Sequence, residues 1–144
     1  MSPSSRFQSR RGPNLVTAHG LALIRGRVAE ITGQLIKLSD ETAIKAAKRD
    51  LRYWQTREIT AEIVPVPSGE AVQIGTVVTF LHNGKRRCLT IVGDDEADPA
   101  IGLVSFSAPL SRALMTAAPG DFLDFGGTED AIEVLQIAVI GEHE

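Results

Sequence analysis

The chain has 144 residues, 43% of them hydrophobic, and a formal net charge of -3. This length accommodates one compact core with an appendage and excludes a second enzyme-sized domain. The single cysteine, Cys88, excludes an internal disulfide and a cysteine-based zinc site. No apolar run approaches the roughly 18 residues of a membrane span, and the N-terminus lacks the apolar segment of a signal peptide, so we expect a cytoplasmic protein that does not contact membranes.

Charge is distributed unevenly along the chain. Residues 1–57 contain eleven Lys and Arg against four Asp and Glu, whereas residues 58–144 contain four against fourteen. This split predicts that the first part faces a polyanion such as nucleic acid and that the second part docks elsewhere. The alternative is that a helical hairpin needs charged side chains on its solvated outer faces. This alternative explains why charges are present but not why positive charge is concentrated in the first part of the chain.

At the start of the chain, residues 1–14 are rich in Ser, Arg, Pro and Gly and are predicted to form a disordered basic tail.

The next segment shows coiled-coil spacing twice. Its apolar residues recur alternately three and four positions apart, first in one set and then, with one polar member, in a second set. The first set is Leu21, Ile24, Val28, Ile31, Leu35 and Leu38, and the second is Ile44, Ala47, Leu51, Trp54, Glu58 and Ala61. Two such sets separated by a short polar turn fold back on each other. Residues 15–64 are therefore predicted to form an antiparallel coiled-coil hairpin, with Thr17 as the N-cap of its first helix.

The turn of this hairpin, residues 37–42, contains two adjacent carboxylates, Asp40 and Glu41. Ser39 or Asp40 suits the N-cap of the second helix, and acidic side chains suit the positive end of its dipole, so capping alone explains one of the two carboxylates. We expect a finger that presents this tip to a partner. The basic side chains expected to face nucleic acid or the partner near the tip are Lys37, Lys45, Lys48 and Arg49.

Residues 65–70 contain two prolines and a Ser-Gly pair and are predicted to be a linker. Beyond it, alternation over residues 72–80 indicates a strand, and Asn83-Gly84 is a two-residue hairpin turn that returns the chain to Val92. A strand over 103–106, a helix over 109–114, a strand ending at 125 and a last strand over 132–140 follow. Five strands and one helix over residues 71–141 predict a small α+β domain dominated by an antiparallel sheet.

An acidic loop, residues 93–99, separates two of these strands and contains four carboxylates. Its spacing lacks the glycine and the distal glutamate of a calcium loop, so a solvated turn is the preferred interpretation. The histidines are far apart in sequence and show no ligand spacing; they are His19, His82 and His143. We therefore expect no metal site and no cofactor in the isolated protein.

Four stretches of the second part carry a resemblance to a known family: IGTVV at 74–78, TIVGDDEADP at 90–99, VSFSAPLSRAL at 104–114 and PGD at 119–121. With them, residues 72–137 resemble the C-terminal, FKBP-like domain of the bacterial Gre transcript-cleavage and elongation factors, GreA and GreB. Upstream, VTAHGL at 16–21 and the stretch from LRYW at 51–54 to AEIV at 61–64 look like the helical hairpin of that family. The resemblance implies a coiled-coil hairpin followed by an FKBP-like polymerase-binding domain.

In that family the globular domain docks on RNA polymerase and the coiled coil enters the secondary channel. The resemblance implies RNA polymerase as the partner, nascent RNA near the tip and a protein that is not itself an enzyme; we expect it to be a monomer. It also implies that Asp40 and Glu41 help the polymerase hold its second Mg²⁺ and a water, so that the polymerase cleaves backtracked RNA. The docking residues that it implies are Ser107, Pro109 and Leu110, with Asp94, Glu96 and Asp98 of the acidic loop.

The chain departs from the family pattern at the tip. Its helices are roughly three turns shorter than those of full-length Gre factors, a difference of about 15 Å. Asp40 and Glu41 are adjacent, whereas the family pattern is similar to Asp-x-x-Glu-Asn-Ala. One alternative is therefore a channel competitor that resembles the regulator of nucleoside diphosphate kinase (Rnk), whose coiled coil is also short and which occupies polymerase without promoting cleavage.

Two further alternatives belong to other classes of protein. FKBPs are prolyl isomerases and need an aromatic-lined apolar pocket, but residues 70–144 contain just four phenylalanines and no Trp or Tyr. The other alternative is a helical-hairpin adaptor whose target is not polymerase. Binding to core RNA polymerase distinguishes the adaptor from the polymerase-binding alternatives.

Overall fold

The computed structural model describes residues 14–140. His143 and most of the tail predicted over residues 1–14 lie outside the described residues. Asn14 is the exception, and the tail prediction is wrong for it, because it is buried in a strand. The chain divides between Ile63 and Val64 into two compact units. The first contains two long helices and the second a sheet with a short helix, which confirms the predicted α+β class.

The first unit is built on a helical hairpin. Helix α1 spans Ala18–Lys37, helix α2 spans Glu41–Thr60, and residues 38–40 join them. Thr17 caps α1 as predicted, because its side chain accepts a hydrogen bond from the backbone N–H of Gly20 at 2.9 Å. Within the part of the chain that the structure describes, no helix has the apolar length that crossing a bilayer requires.

The predicted seam positions of both helices are buried or half-buried. Leu21, Ile24 and Ile31 of α1 are buried. The seam positions of α2 are half-buried, and α2 has no buried residue. Glu58, the polar member of the seam, pairs with Arg25 of α1, with 3.4 Å between Oε2 and Nε. This ion pair is partly exposed and is therefore expected to stabilise the hairpin by less than about 1 kcal/mol.

An apolar cluster lies at the base of the hairpin. Val16, Leu21 and Ile24 are buried in it, and Trp54 packs against them. The seam pattern predicts a buried Trp54, but this side chain is only partly buried. A two-helix seam has no third element to cover the outer side of a large ring. The guanidinium of Arg27 lies 5.8 Å from the centre of that ring.

Two short strands also lie at the base, and the sequence did not predict them. Strands β1 (Asn14–Val16) and β2 (Ala61–Ile63) pair in parallel. Asn14 Nδ2 donates to the backbone carbonyl of Arg57 at 2.8 Å, and the Arg57 guanidinium donates to Asn14 Oδ1 at 2.6 Å. These bonds tie β1 to the last turn of α2 and satisfy a carbonyl at the helix end.

The second unit contains a five-stranded sheet in the order β5-β4-β3-β7-β6. Its strands are β3 (Thr76–His82), β4 (Lys85–Val92), β5 (Leu103–Ser105), β6 (Phe122–Phe125) and β7 (Thr128–Val139), and its helix is α3 (Pro109–Leu114). Neighbouring strands are antiparallel except β4 and β5, which are parallel. The five predicted strands and one helix are therefore present, with the last strand starting earlier than predicted.

Strand β3 begins later than its alternation predicts. The alternating residues are all buried: Val72, Ile74, Thr76, Val78 and Phe80. Regular pairing nevertheless starts at Thr76, because Gly75 before it has a φ of +96°, a conformation that interrupts the strand and favours glycine. The segment predicted as a linker, residues 65–70, belongs to the second unit. Within this segment, the Pro67 ring packs beside Gly75. A Cβ atom added at Gly75 would lie 3.4 Å from two carbon atoms of that ring.

Two tight turns lie at the same end of the sheet, and the first of them was predicted from the sequence. Asn83 and Gly84 have φ values of 52° and 84°, the left-handed pair of a type I′ turn, and they join β3 to β4 with His82 opposite Lys85. The glycines at 126 and 127, with φ values of 62° and 82°, join β6 to β7. The opposite end of the sheet is where β4 ends and the acidic loop begins.

Trp54→Ala is expected to unfold the hairpin selectively, because it removes the largest side chain that packs on the base cluster. Truncating a fully buried Trp costs about 3–5 kcal/mol, and partial burial lowers the expected cost to about 2–3 kcal/mol. Far-UV circular dichroism during thermal melting measures this loss, and NMR shifts of sheet residues should stay unchanged.

The matched control is Ile59→Ala on the same helix, where the side chain is 82% exposed. This control should change the free energy of unfolding by less than about 0.5 kcal/mol. A Trp54→Ala melting curve that coincides with that of the parent would contradict the assignment of the seam.

Candidate functional site

The first candidate surface lies where β4 and β5 end. The two strands are parallel, with Val92 opposite Ser105, so the residues that follow them emerge at the same edge of the sheet. The acidic loop (residues 93–99) follows β4 and includes the 3-10 turn Asp94–Glu96. Residues 105–108, here called the serine loop, begin at the last residue of β5 and lead into α3.

Hydrogen bonds join these two segments. Ser105 Oγ donates to Asp94 Oδ1, and Ser107 Oγ donates to the same carboxylate oxygen at 3.0 Å. The Ser107 backbone N–H donates to Ser105 Oγ at 3.1 Å. The structure therefore brings together Asp94 and Ser107, two predicted docking residues that are 13 positions apart.

The backbone of the serine loop is fixed as well. The N–H of Phe106 donates to the Val92 carbonyl at 2.9 Å, and the N–H of Ala108 donates to the Ser105 carbonyl at 3.0 Å. Pro109 then starts α3, a position where its missing N–H costs nothing. Among the other predicted docking residues, Pro109 and Asp98 are exposed and Leu110 and Glu96 are half-buried.

Two features of this surface, Ser105 and a groove beside Ser107, had not been expected from the sequence. Ser105 contacts both Asp94 and Ser107. A groove of about 480 Å³ lies beside Ser107 and is lined by Phe106, Ser107, Arg112 and Met115. The signal for Ser105 was its position in the predicted strand over 103–106, two residues before Ser107. The groove has no such local signal, because its lining comes from both the loop and the helix.

The second candidate surface is the tip of the hairpin. Asp40 is the N-cap of α2, and its Oδ2 accepts from the Ala43 backbone N–H at 2.9 Å. One of the two tip carboxylates therefore caps the helix, as the sequence analysis proposed for Ser39 or Asp40. Glu41 is the first residue of α2 and is exposed.

Basic side chains accompany Glu41 on this surface. A shallow groove of about 400 Å³ is lined by Glu41, Thr42, Ile44, Lys45 and Lys48. Lys37 is the last residue of α1 and Arg49 lies farther along α2; both are exposed. Within residues 14–140, no group of three or more His, Cys, Asp or Glu is placed to hold a metal ion. Carboxylate oxygens suit Mg²⁺, but two carboxylates leave most of its octahedral shell to other ligands.

The four phenylalanines of the second unit lie in different surroundings. Phe80 is fully buried, whereas Phe122 is 57% exposed. Phe125 packs edge-on against His82, with ring centres 5.6 Å apart, and Phe106 lines the groove beside Ser107. The structure therefore offers no support for a prolyl isomerase site.

Comparisons with known proteins identify similar chains. A family model described as "Transcription elongation factor, GreA/GreB, C-term" matches residues 67–139. The chain is 33% identical over 113 residues to transcription elongation factor GreA of Helicobacter pylori, covering 69% of each chain. It is 32% identical over 87 residues to GreA of Bartonella tribocorum, covering 56% of this chain and 55% of that one. The crystal structure of GreA factor homolog 1 (Gfh1) of Thermus thermophilus aligns with a TM-score of 0.40 at 22% identity, covering 88% of this chain and 99% of the other.

Asp40→Ala is expected to destabilise the hairpin by about 1 kcal/mol, because it leaves the Ala43 N–H without its cap. Asp40→Asn should retain most of that stability, since Asn caps helices about as well as Asp. Urea unfolding followed by circular dichroism measures both changes. Equal stabilities for the parent and Asp40→Ala would contradict a capping role in solution.

Proposed function

The chain belongs to the GreA/GreB family of transcription elongation factors, and from this membership we propose that it binds RNA polymerase through its second unit and inserts its hairpin into the secondary channel. The observation that carries the proposal is the cluster of Asp94, Ser107 and Pro109 on one surface of the second unit. All three residues lie within the segment that matches the family model.

The surface around Pro109 has the features of a docking site. Pro109 and Ser107 are exposed and rigidly held by the turn and by α3, and the groove beside them offers room for a partner side chain. The buried Leu114 anchors α3 to the unit, so docking requires little rearrangement. Asp94, Glu96 and Asp98 make this edge of the sheet acidic, which favours a basic partner surface.

The hairpin supplies the part that enters the channel. Each helix has 20 residues, which corresponds to a finger of about 30 Å. Lys37, Lys45, Lys48 and Arg49 give its tip a positive field that suits nascent RNA. We place the protein with its polymerase in the cytoplasm, as a monomer that needs no cofactor of its own.

At the tip, we propose that Glu41 and Asp40 lend carboxylate oxygens to the polymerase active site and that the protein is not an enzyme alone. Glu41 is exposed beside Lys45 and Lys48. Asp40 uses Oδ2 for its cap, and its second carboxylate oxygen, Oδ1, is the one that would bind a ligand. Mg²⁺ of the polymerase, when bound, lowers the pKa of the water that attacks backtracked RNA.

A second candidate function is occupation of the channel without cleavage. The observation that favours it is the commitment of Asp40 to the N-cap of α2, which restrains one of the two carboxylates. The short helices favour the same function, because they place the tip farther from the polymerase metal site. A metal–carboxylate bond tolerates a change in length of only tenths of an ångström.

Pro109→Ala is expected to weaken binding to core RNA polymerase by about fivefold to tenfold, since it removes an exposed, conformationally fixed contact. Pro119→Ala is the control, because Pro119 is also exposed but lies in the turn before β6. Biolayer interferometry with immobilised polymerase measures both affinities. If substitutions at Ser107, Pro109 and Leu110 all leave the affinity unchanged, the docking surface is elsewhere; a parent protein that does not bind polymerase supports the adaptor alternative.

The double variant Asp40→Asn/Glu41→Gln tests the tip. Amides keep the side-chain shape and the cap but bind Mg²⁺ far more weakly, so cleavage of backtracked complexes should be lost while polymerase binding is retained. Asp50→Asn, an exposed carboxylate along α2, is the control. Equal cleavage by the parent and the double variant excludes a role for the tip carboxylates. A parent that stimulates no cleavage but displaces a full-length Gre factor supports the channel competitor.

A further inference from the structure

Three oxygen atoms at the start of the serine loop lie within hydrogen-bonding distance of one another. Ser105 Oγ donates to Asp94 Oδ1, Ser107 Oγ donates to the same oxygen at 3.0 Å, and the two hydroxyl oxygens are 2.8 Å apart. The Ser107 N–H adds a bond to Ser105 Oγ at 3.1 Å. Ser105 therefore contacts every other group of this network.

Asp94 Oδ1 can accept a hydrogen bond from either serine hydroxyl. The two hydroxyls carry one proton each, and only one of these protons can lie between the two hydroxyl oxygens. At least one proton therefore points outside the pair, and Asp94 Oδ1 is placed to accept a hydrogen bond from either serine. Hydrogen bonds to a carboxylate are about twice as strong as neutral ones, so Asp94 restricts the rotamers of both serines.

The network lies where side-chain orientation matters for a partner. Ser107 is exposed in the turn that the Ala108 N–H closes onto the Ser105 carbonyl, and Pro109 follows directly. Asp94 belongs to the loop after β4, whereas this turn lies at the end of β5. The two segments are neighbours because β4 and β5 run in parallel. A hydroxyl that is already held in one rotamer costs a binding partner less conformational entropy than a freely rotating one.

We propose that Asp94 and Ser105 are positioning residues for polymerase binding: they hold Ser107 and the turn before Pro109 in the conformation that docks. Asp94 acts chiefly through the two serines, and its contribution to the acidic edge is the smaller part of its effect on binding. This proposal rests on the proposed docking function. It gives a role to Ser105, which the sequence did not single out, and it changes the role expected of Asp94 from a contact to a support.

Two substitutions at position 94 distinguish support from contact. Asp94→Asn keeps an acceptor oxygen for the serines but removes the charge, whereas Asp94→Ala removes both. Positioning predicts that Asp94→Ala and Ser105→Ala each weaken polymerase binding about tenfold and that Asp94→Asn stays within about threefold of the parent. Combining Asp94→Ala with Ser105→Ala should add little to either single loss. Equal losses for Asp94→Asn and Asp94→Ala overturn the proposal in favour of a direct charge contact.

Glu129→Gln is the charge-matched control. Glu129 is exposed at the start of β7, near the tight turns at the other end of the sheet, and its substitution should leave the affinity unchanged. Thermal melting of each variant shows whether the second unit remains folded. If an alanine variant unfolds, the comparison of Asp94→Asn with the parent decides, and a loss of tenfold or more in that folded variant overturns the proposal.

Amide exchange in the free protein separates this proposal from polymerase binding itself. The Ser107 N–H bonds to Ser105 Oγ, whereas the Phe106 N–H bonds to the Val92 carbonyl and serves as an internal reference. Asp94→Ala should accelerate exchange at Ser107 about tenfold and leave Phe106 unchanged. Unchanged exchange at Ser107 overturns the positioning role even if the parent binds polymerase. A parent that fails to bind overturns the docking function, and faster exchange at Ser107 then still supports its positioning by Asp94.

Discussion

The first unit depends on the apolar contact at the base of its hairpin. Val16, Leu21 and Ile24 are buried there under Trp54, whereas α2 has no buried residue. Most helical stability in proteins comes from tertiary packing of an apolar face, so the hairpin needs burial, and two helices alone cover each other incompletely. Strands β1 and β2 add cover at the base. Toward the tip, local bonds such as the Asp40 cap have a larger share in holding the conformation.

The arrangement of the candidate docking surface in the second unit depends on the parallel pairing of β4 with β5. Parallel neighbours cannot be joined by a tight turn, so the chain needs a longer crossover, and residues 93–102 provide it. That crossover carries the acidic loop and brings it beside the serine loop. The candidate docking surface thus occupies the place where the topology requires an irregular, exposed connection on a rigid scaffold.

A carboxylate has a structural role on each of the two candidate surfaces. Asp40 accepts from a backbone N–H at a helix start, and Asp94 accepts from two serine hydroxyls beside a turn. Both were selected from the sequence as residues that face a partner. Short acidic side chains are good helix caps and also good ligands for cations, so residue type alone assigns neither role. Glu41, exposed on the first turn of α2, remains the tip carboxylate with the greater freedom to contact a partner.

The sequence by itself determined the features that depend on a few neighbouring residues: the two helices of the hairpin, the Thr17 cap, the type I′ turn at Asn83 and Gly84, and the start of α3 at Pro109. Backbone preferences and side-chain periods act locally, so they can be read without knowing the fold. Only the tertiary structure decided the pairing of β1 with β2, the Asn14–Arg57 bonds, the partial exposure of Trp54 and the contact of Asp94 with Ser105 and Ser107. Each of these depends on which distant segments become neighbours and on how much of a side chain they cover, and that is set by packing and strand order rather than by the adjacent sequence.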